Sequence, residues 1–341
     1  MFSQPDDRDL GTLFYQTEMR ILPALVSMER VGITVDCLKL EELGSLLQQK
    51  IMKVKAEAER LIGKSFNLSS PKQVGEVVYD QLKLDQVSGI VVARTPKGVK
   101  STSESVLSKL KSFHPIINLI LEHRQLTKYK STYVDGILGH VVQGKVFTCW
   151  DQIAAATGRV TSVSPNLQAV PKGVIELGDS TRVNIRAVFL PARGHKFLTA
   201  DFEQIEFRLF GYFSQDPQIN QALKEGGDVF RKLAAFWLDK KMSDVTDVDR
   251  ERTKRVVYAL MYGAGKVRLS EILGMTVLQA ASLITSFYLK FSTVRAFNQR
   301  IISRAERRGY LTTVLGRRRH FPNILSSNQA VKAQSQRQAF K

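Results

Sequence analysis

Cysteine is almost missing. Only Cys37 and Cys149 occur, far apart and outside any C-x-x-C pair, which excludes a disulfide framework and fits a reducing compartment. Histidine is scarce too. His114, His123, His140, His195 and His320 lack the close His/Cys spacing of a zinc site. No apolar run approaches the roughly 20 residues of a membrane span. Residues 1–10 are polar and acidic, unlike a signal peptide. No G-x-x-x-x-G-K-[ST] is present, so a P-loop enzyme is not expected. Internal repeats and low-complexity tracts are also absent. Acid is in deficit: 50 Lys and Arg stand against 32 Asp and Glu, a net charge of +18. Such a field favours polyanions, nucleic acid or an acidic membrane surface. A basic protein that is merely soluble is the lesser alternative.

What is present is an ordinary globular composition, with 43% hydrophobic and 24% charged residues. The 341 residues are enough for two or three lobes with their own cores. Apolar periodicity predicts helices over residues 13–28 and 38–61, the second stopped by Gly63. Ser70 and Pro71 have the form of an N-cap and a first helical residue. Residues 87–102 read as a flexible basic loop, and 103–139 return to helical periodicity. Residues 145–150, 183–191 and 195–200 read as strands, the last two joined by a hairpin at Arg193-Gly194. Helical patterns dominate from Ile205 onward. The order is a helical lobe, a small sheet and a second helical lobe, an α+β class.

Two segments carry chemistry. In residues 197–208 an apolar stretch leads to Asp201, and a helix follows. A rigidly placed carboxylate suits a hard cation such as Mg²⁺, although, read in isolation, such an aspartate is better taken as a cap of the next helix. In residues 249–262 a helix begins with Thr246-x-x-Asp249, a capping-box pattern, and ends at Gly263-Ala264-Gly265. Arg250, Lys254 and Tyr258 follow at i, i+4 and i+8, within an arc of about 80° on one face. Thr253, Val256, Val257 and Leu260 lie on another. Two cations one turn apart suit phosphates, and an aromatic one turn further can stack on a base or sugar. On periodicity alone a solvated basic face is the better reading.

These segments resemble a known family. Residues 201–208, Asp-Phe-Glu-Gln-Ile-Glu-Phe-Arg, are similar to motif A of family A (Pol I-type) DNA polymerases, with Phe202 in place of Tyr and Glu203 in place of Ser. Residues 250–263 resemble motif B. There Val256-Val257-Tyr258-Ala259, followed by Tyr262-Gly263-Ala264-Gly265-Lys266, is most like the nu branch of the family. Residues 156–171 match a Thr-Gly-Arg…Pro-Asn-Leu-Gln…Pro pattern. Residues 122–133 resemble the thumb, 316–322 the Gly-Arg-Arg-Arg segment of the fingers, and 336–339 the start of the next recognised helix. On a helix the three cations Arg317, Arg318 and Arg319 cannot all face one partner.

The resemblance implies a right-hand polymerase fold of palm, thumb and fingers with an incomplete palm sheet. Residues 1–45 would start the palm, 46–144 form the thumb, 145–216 the palm with motif A, and 217–341 the fingers. Asp201 and the backbone carbonyl of Phe202 would bind Mg²⁺, two ions in the family, while the His-Asp-Glu hairpin that supplies a second carboxylate is not found in these residues. Gln204, Glu206, Arg250, Lys254, Tyr258 and Tyr262 would bind the dNTP. Glu206 would be the steric gate against a ribose 2′-OH, and Lys254 would also protonate the leaving pyrophosphate. Lys128, Lys130, Ser131, Thr132, Arg159, Asn166, Gln168 and Arg337 would contact primer-template DNA, giving position and minor-groove contact. Arg255 would add a cation near the nascent pair and so tolerate mispairs. No acidic cluster of a proofreading exonuclease precedes these motifs. The resemblance further implies a nuclear, repair or translesion enzyme that does not engage a membrane, and this chain is expected to extend primers poorly. The other reading is a non-catalytic, DNA-binding polymerase product.

Overall fold

The computed structural model describes residues 7–95, 97–177 and 181–340. In chain order the helices are α1 (Asp7–Leu13), α2 (Met19–Val31), α3 (Cys37–Ile62), α4 (Pro71–Gly75), α5 (Leu84–Ser88), α6 (Glu104–Leu107), α7 (Ile116–Lys128), α8 (Gly136–Leu138), α9 (Ile205–Ser214), α10 (Pro217–Lys224), α11 (Val229–Trp237), α12 (Asp247–Met261), α13 (Lys266–Leu273), α14 (Val277–Lys290), α15 (Ser292–Arg308) and α16 (Gln329–Gln338). The strands are β1 (Ile33–Val35), β2 (Val141–Val142), β3 (Lys145–Val146), β4 (Cys149–Asp151), β5 (Thr161–Val163), β6 (Ile175–Leu177), β7 (Thr181–Val183), β8 (Phe189–Leu190), β9 (Tyr310–Thr312) and β10 (Arg318–His320). The class is α+β, as the sequence implied. The chain divides into two compact units. One comprises residues 1–20, 155–159 and 198–341, the other 21–154 and 160–197.

In the unit of residues 21–154 and 160–197, α3 is the organising helix. Asp36 caps its start by accepting from Lys39 N–H at 3.1 Å, and Gly63 ends it in the left-handed region at φ 75°. Leu40, Leu43, Leu47, Val54 and Ala58 recur along its buried face and pack on two clusters. One contains Val134, Ile137, Val146, Ile185 and Val188. The other contains Leu107, Leu110, Ile116, Ile117 and Ile120. A four-stranded antiparallel sheet of order β2-β3-β1-β8 lies in this unit, with Thr34 opposite Lys145 on one side and Leu190 on the other. Ser70 and Pro71 open α4 as expected, the Ser70 hydroxyl accepting from Gln73 N–H.

Three strand expectations need correction. Residues 145–150 do not form one strand but split into β3 and β4, which pair in different sheets. Residues 183–191 do not form one strand. The Asn184 side chain accepts from Arg186 N–H at 3.1 Å, and this turn breaks the run into β7, a 3-10 turn over Ile185–Val188 and β8. Residues 195–200 form no strand at all. The turn at Arg193-Gly194 exists, with His195 N–H donating to Ala192 O at 2.9 Å, but no described segment pairs with residues 195–200. A strand exists only against a hydrogen-bonded neighbour, and Leu198 is 96% exposed. Apolar character alone cannot supply that neighbour.

In the other unit, α9 to α15 surround one apolar core. Phe207 of α9, Phe230 and Leu233 of α11, Val256, Val257 and Leu260 of α12, and Phe287 of α14 are all buried there. Phe287 stacks on Phe291 with ring centroids 4.5 Å apart. Asp216 fixes the start of α10. One carboxylate oxygen accepts from the N–H groups of Gln218 and Ile219 at 3.1 Å each, and the other accepts from the Thr293 hydroxyl on α15. Asp216 is buried, so its loss strands these donors. Asp216→Ala is expected to cost about 1–2 kcal/mol, read as a lowered midpoint in urea unfolding. An unchanged midpoint would show that the cap is dispensable.

The Gly-Arg-Arg-Arg segment was expected on a helix and instead enters a hairpin, with Arg319 opposite Leu311 and His320 opposite Tyr310. Arg317 lies just before β10, and pleating turns Arg318 and Arg319 to opposite faces of the strand. Arg317 pairs with Glu18, Arg318 lies over the Tyr310 ring at 5.3 Å, and Arg319 over Phe321 at 5.5 Å. Burial pulls the Arg319 guanidinium below its ordinary value.

Candidate active site and nucleic-acid interface

The motif A residues lie at the entrance to α9. Asp201 and Phe202 are exposed, and Asp201 has no hydrogen-bond or ion-pair partner among the described residues. It does not cap the helix: the cap position is Gln204, in the left-handed region at φ 52° and without a side-chain capping bond. The capping alternative for Asp201 therefore fails. Glu203, the departure from the family pattern, is held by Arg208, which donates to its carboxylate at 3.1 Å and to its backbone oxygen at 2.8 Å. Gln204 has a buried carbonyl oxygen with no hydrogen-bond partner, an unusual state for a buried acceptor.

Glu206, on the first turn of α9, joins three segments. Its carboxylate accepts from the guanidinium of Arg159 and from the hydroxyl of Tyr262, at the C-terminal end of α12. Burial, and then this hydrogen bond, push the Tyr262 hydroxyl up to about 12. Tyr258 stacks on Tyr262 at 6.4 Å and tilts against Phe230 at 5.7 Å. Burial first and the Glu206 charge second raise its hydroxyl as well. Gly158, at φ 75°, lets the Arg159 loop pass close to the Arg317 side chain.

Helix α12 begins with the expected capping box, Thr246 and Asp249 each bonding the other's backbone N–H. Thr253, Val256, Val257 and Leu260 are buried and Arg250, Lys254 and Tyr258 are partly exposed, so the two faces fall as the periodicity predicted. The charges on the outer face are unequal. Arg250 donates to Asp228 and to Glu251. The Asp228 bond is the main reason its guanidinium is raised above its ordinary value. Burial would raise the Asp228 carboxyl, but the bonds from Arg250 and from Arg231 N–H outweigh it and leave it lowered. Lys254 has no such partner among the described residues. Asp228 and Glu251 were missed from the sequence. Gly226-Gly227-Asp228 signals a helix start, and Asp228 does cap α11, but its pairing with Arg250 is tertiary.

Glu206, Arg159 and Tyr262 line a cavity of about 1670 Å³ within this unit. Asp201, Phe202, Gln204, Arg250, Lys254, Tyr258 and Arg337 are not among its lining residues. Arg337 is exposed in the last turn of α16. Among the described residues no three His, Cys, Asp or Glu side chains come together to hold a metal ion. Two cations roughly 3.5–4 Å apart need several carboxylates, and Glu203 and Glu206, the acids nearest Asp201 in sequence, are engaged by Arg208 and by Arg159 and Tyr262. The donor set does not fit the two Mg²⁺ that the resemblance implied.

The remaining interface residues belong to the other unit. Lys128 is exposed at the end of α7. Lys130 donates to both oxygens of Asp135, at 3.0 and 2.8 Å, so half its reach is already used. Ser131 and Thr132 are exposed in the π-helical segment Tyr129–Asp135. The Asn166 side chain accepts from Ala169 N–H at 3.1 Å. Gln168 accepts from Ser162 N–H and donates to Val160 O, both at 3.1 Å. Asn166 and Gln168 thus shape their own loop, while their side chains stay at the surface. No single described helix is long and apolar enough to cross a membrane.

The model of DNA polymerase family A matches residues 37–341. DNA polymerase I of Geobacillus stearothermophilus is 36% identical over 330 residues, covering 96% of this chain and 36% of that protein. The thermostable DNA polymerase I of Thermus filiformis is 35% identical over 331 residues, covering 96% and 38%. The chain thus spans little more than a third of the length of these curated relatives. Among solved structures, the POL domain of Pol1 from M. smegmatis, in complex with DNA primer-template and dNTP, matches with a TM-score of 0.84 and 33% identity, over 96% of this chain and 57% of that one. With this match over nearly its whole length, the chain belongs to DNA polymerase family A.

Proposed function

We propose that this chain serves template-directed addition of dNTPs to a primer 3′-OH, as the catalytic-core region of a DNA-directed DNA polymerase. The observation that carries the reading is the Glu206 junction. One carboxylate ties the motif A helix, the motif B helix and the Arg159 loop together, so that a sugar, a base and a minor-groove edge can be read at one place. In this reading Lys254 and Arg250 take the triphosphate, Tyr258 the sugar, and Tyr262 stacks at the template base. Glu206 excludes a 2′-OH, and Gln204 offers its unpaired carbonyl to the nucleotide side. Arg337 and the residues of 128–132 and 159–168 steady primer and template. Residues 1–45 and 145–216 act as palm, 46–144 as thumb and 217–341 as fingers. The finer assignment, a nu-type repair or translesion enzyme acting in the nucleus, rests on the family resemblance carried by Val256-Val257-Tyr258-Ala259 and on the exposed cation Arg255 beside them.

The test is ternary-complex formation by the 341-residue chain on a dideoxy-terminated primer-template, read by fluorescence anisotropy. The templated dNTP is expected to tighten DNA binding, and the three others to leave it unchanged. Equal responses to all four would overturn the reading. Primer extension by the same chain is expected to be poor, because no three acidic, His or Cys side chains come together to hold a metal ion among the described residues. DNA binding that no dNTP alters would favour the alternative, a non-catalytic DNA-binding product.

A further inference from the structure

Helix α15 carries Arg300, Arg304, Arg307 and Arg308, and all four line the 1670 Å³ cavity beside Tyr262. At i, i+4, i+7 and i+8 they fall within an arc of about 100° and extend about 12 Å along the helix. None has a hydrogen-bond or ion-pair partner among the described residues. Glu206 is the single acid among the lining residues, and it is already engaged by Arg159 and Tyr262. Four uncompensated guanidiniums in one concavity repel one another. A surface of this kind is stabilised by a polyanion that releases counterions on binding.

The same walls carry aromatic side chains, Phe213, Phe297 and Phe340, each partly exposed. Cations that track phosphates beside faces on which bases stack are the combination that binds single strands. A duplex keeps its bases stacked inside and cannot offer their faces to such walls. We propose that the α15 arginine row binds the unpaired stretch of the template strand, before it reaches the base pair formed at Tyr262. This rests on the polymerase reading above and adds a strand contact that the motifs did not indicate.

The experiment compares two labelled probes on the 341-residue chain: a blunt duplex, and the same duplex with an unpaired 5′ extension of about ten nucleotides, within the usual single-strand site size. The wild-type chain is expected to prefer the extended probe. Arg304→Gln/Arg308→Gln should lose that preference, about tenfold or more at low salt, and its salt slope on the extended probe should fall by about 1.4, or 0.7 per lost contact. Arg268→Gln/Arg295→Gln removes the same charge outside the cavity and should keep the preference. Arg300→Gln/Arg307→Gln, at two exposed positions, serves as the variant if the first pair unfolds. A preference that survives in the cavity variants overturns the proposal. So does its equal loss in the control pair, or displacement of the extended probe by polyglutamate as readily as by oligonucleotide. Binding of neither probe by the wild-type chain would instead sink the polymerase reading itself.

Discussion

Lys254→Ala should weaken the dNTP-dependent tightening of the primer-template complex about 10- to 100-fold, while Arg250→Ala should cost less of that response and more of the fold. Both cations lie on the outer face of α12, but their states differ. The Lys254 ammonium is free of partners among the described residues, so a phosphate oxygen can take it without competition. A hydrogen bond to a charged group contributes about 1.5–3 kcal/mol, which converts to the stated range. The Arg250 guanidinium is already shared between Asp228 and Glu251. A triphosphate must displace at least one carboxylate, so the net gain is smaller. Removing Arg250 also leaves Asp228 half-buried without its main counter-charge, and urea unfolding should register that loss. Glu251→Gln should act in the opposite direction, because it frees one arm of the guanidinium, and should strengthen the dNTP response a few-fold. The measurement is anisotropy with templated dNTP titrated onto a preformed binary complex. Equal losses for Lys254→Ala and Arg250→Ala, with no gain for Glu251→Gln, would show that the acids do not compete.

This contrast also marks where sequence stops being informative. Helix α12 was legible because everything that defines it is local: the Thr246–Asp249 box, the i, i+4 row and the glycines at its end lie within one stretch. The α+β class and the caps at Asp36 and Ser70 were legible for the same reason. The masking of Arg250 was not, because Asp228 is brought to it by the packing of α11 on α12. Residues 195–200 failed in the other direction. Their apolar pattern is strand-like, but a strand is defined by a partner that the pattern cannot name. Arg317 to Arg319 read as a helical cluster because pattern alone does not exclude a hairpin. The α15 arginines escaped because Arg300, Arg304, Arg307 and Arg308 resemble any solvated basic face until a concavity is seen in front of them.

Raising the pH from about 10 to about 12 should strip about 2–3 kcal/mol of stability from the unit built on α3, through one buried hydroxyl. Tyr79 is 4% exposed. Its hydroxyl donates to Ser101 O at 2.6 Å, and the Lys100 ammonium lies over its ring at 5.4 Å. Burial first, and the Asp85 carboxylate second, push its pKa up to about 12, against the opposing charge of Arg124. The folded chain therefore keeps this proton more tightly than the unfolded chain, whose value is near 10. The stabilisation is fully present below about pH 10 and is lost as pH rises through about 12. Tyr262 shares the same direction and range in the other unit, so the wild-type curve alone cannot assign the loss. Tyr79→Phe separates them. It removes one hydrogen bond, costing about 0.5–1.5 kcal/mol near neutrality, and removes the titrating group altogether. Urea unfolding at about pH 8 and about pH 11 should then show a markedly smaller alkaline loss in Tyr79→Phe than in the wild-type chain. Parallel losses in the two proteins would mean that this hydroxyl ionises freely in the fold and that its burial contributes nothing to alkaline instability.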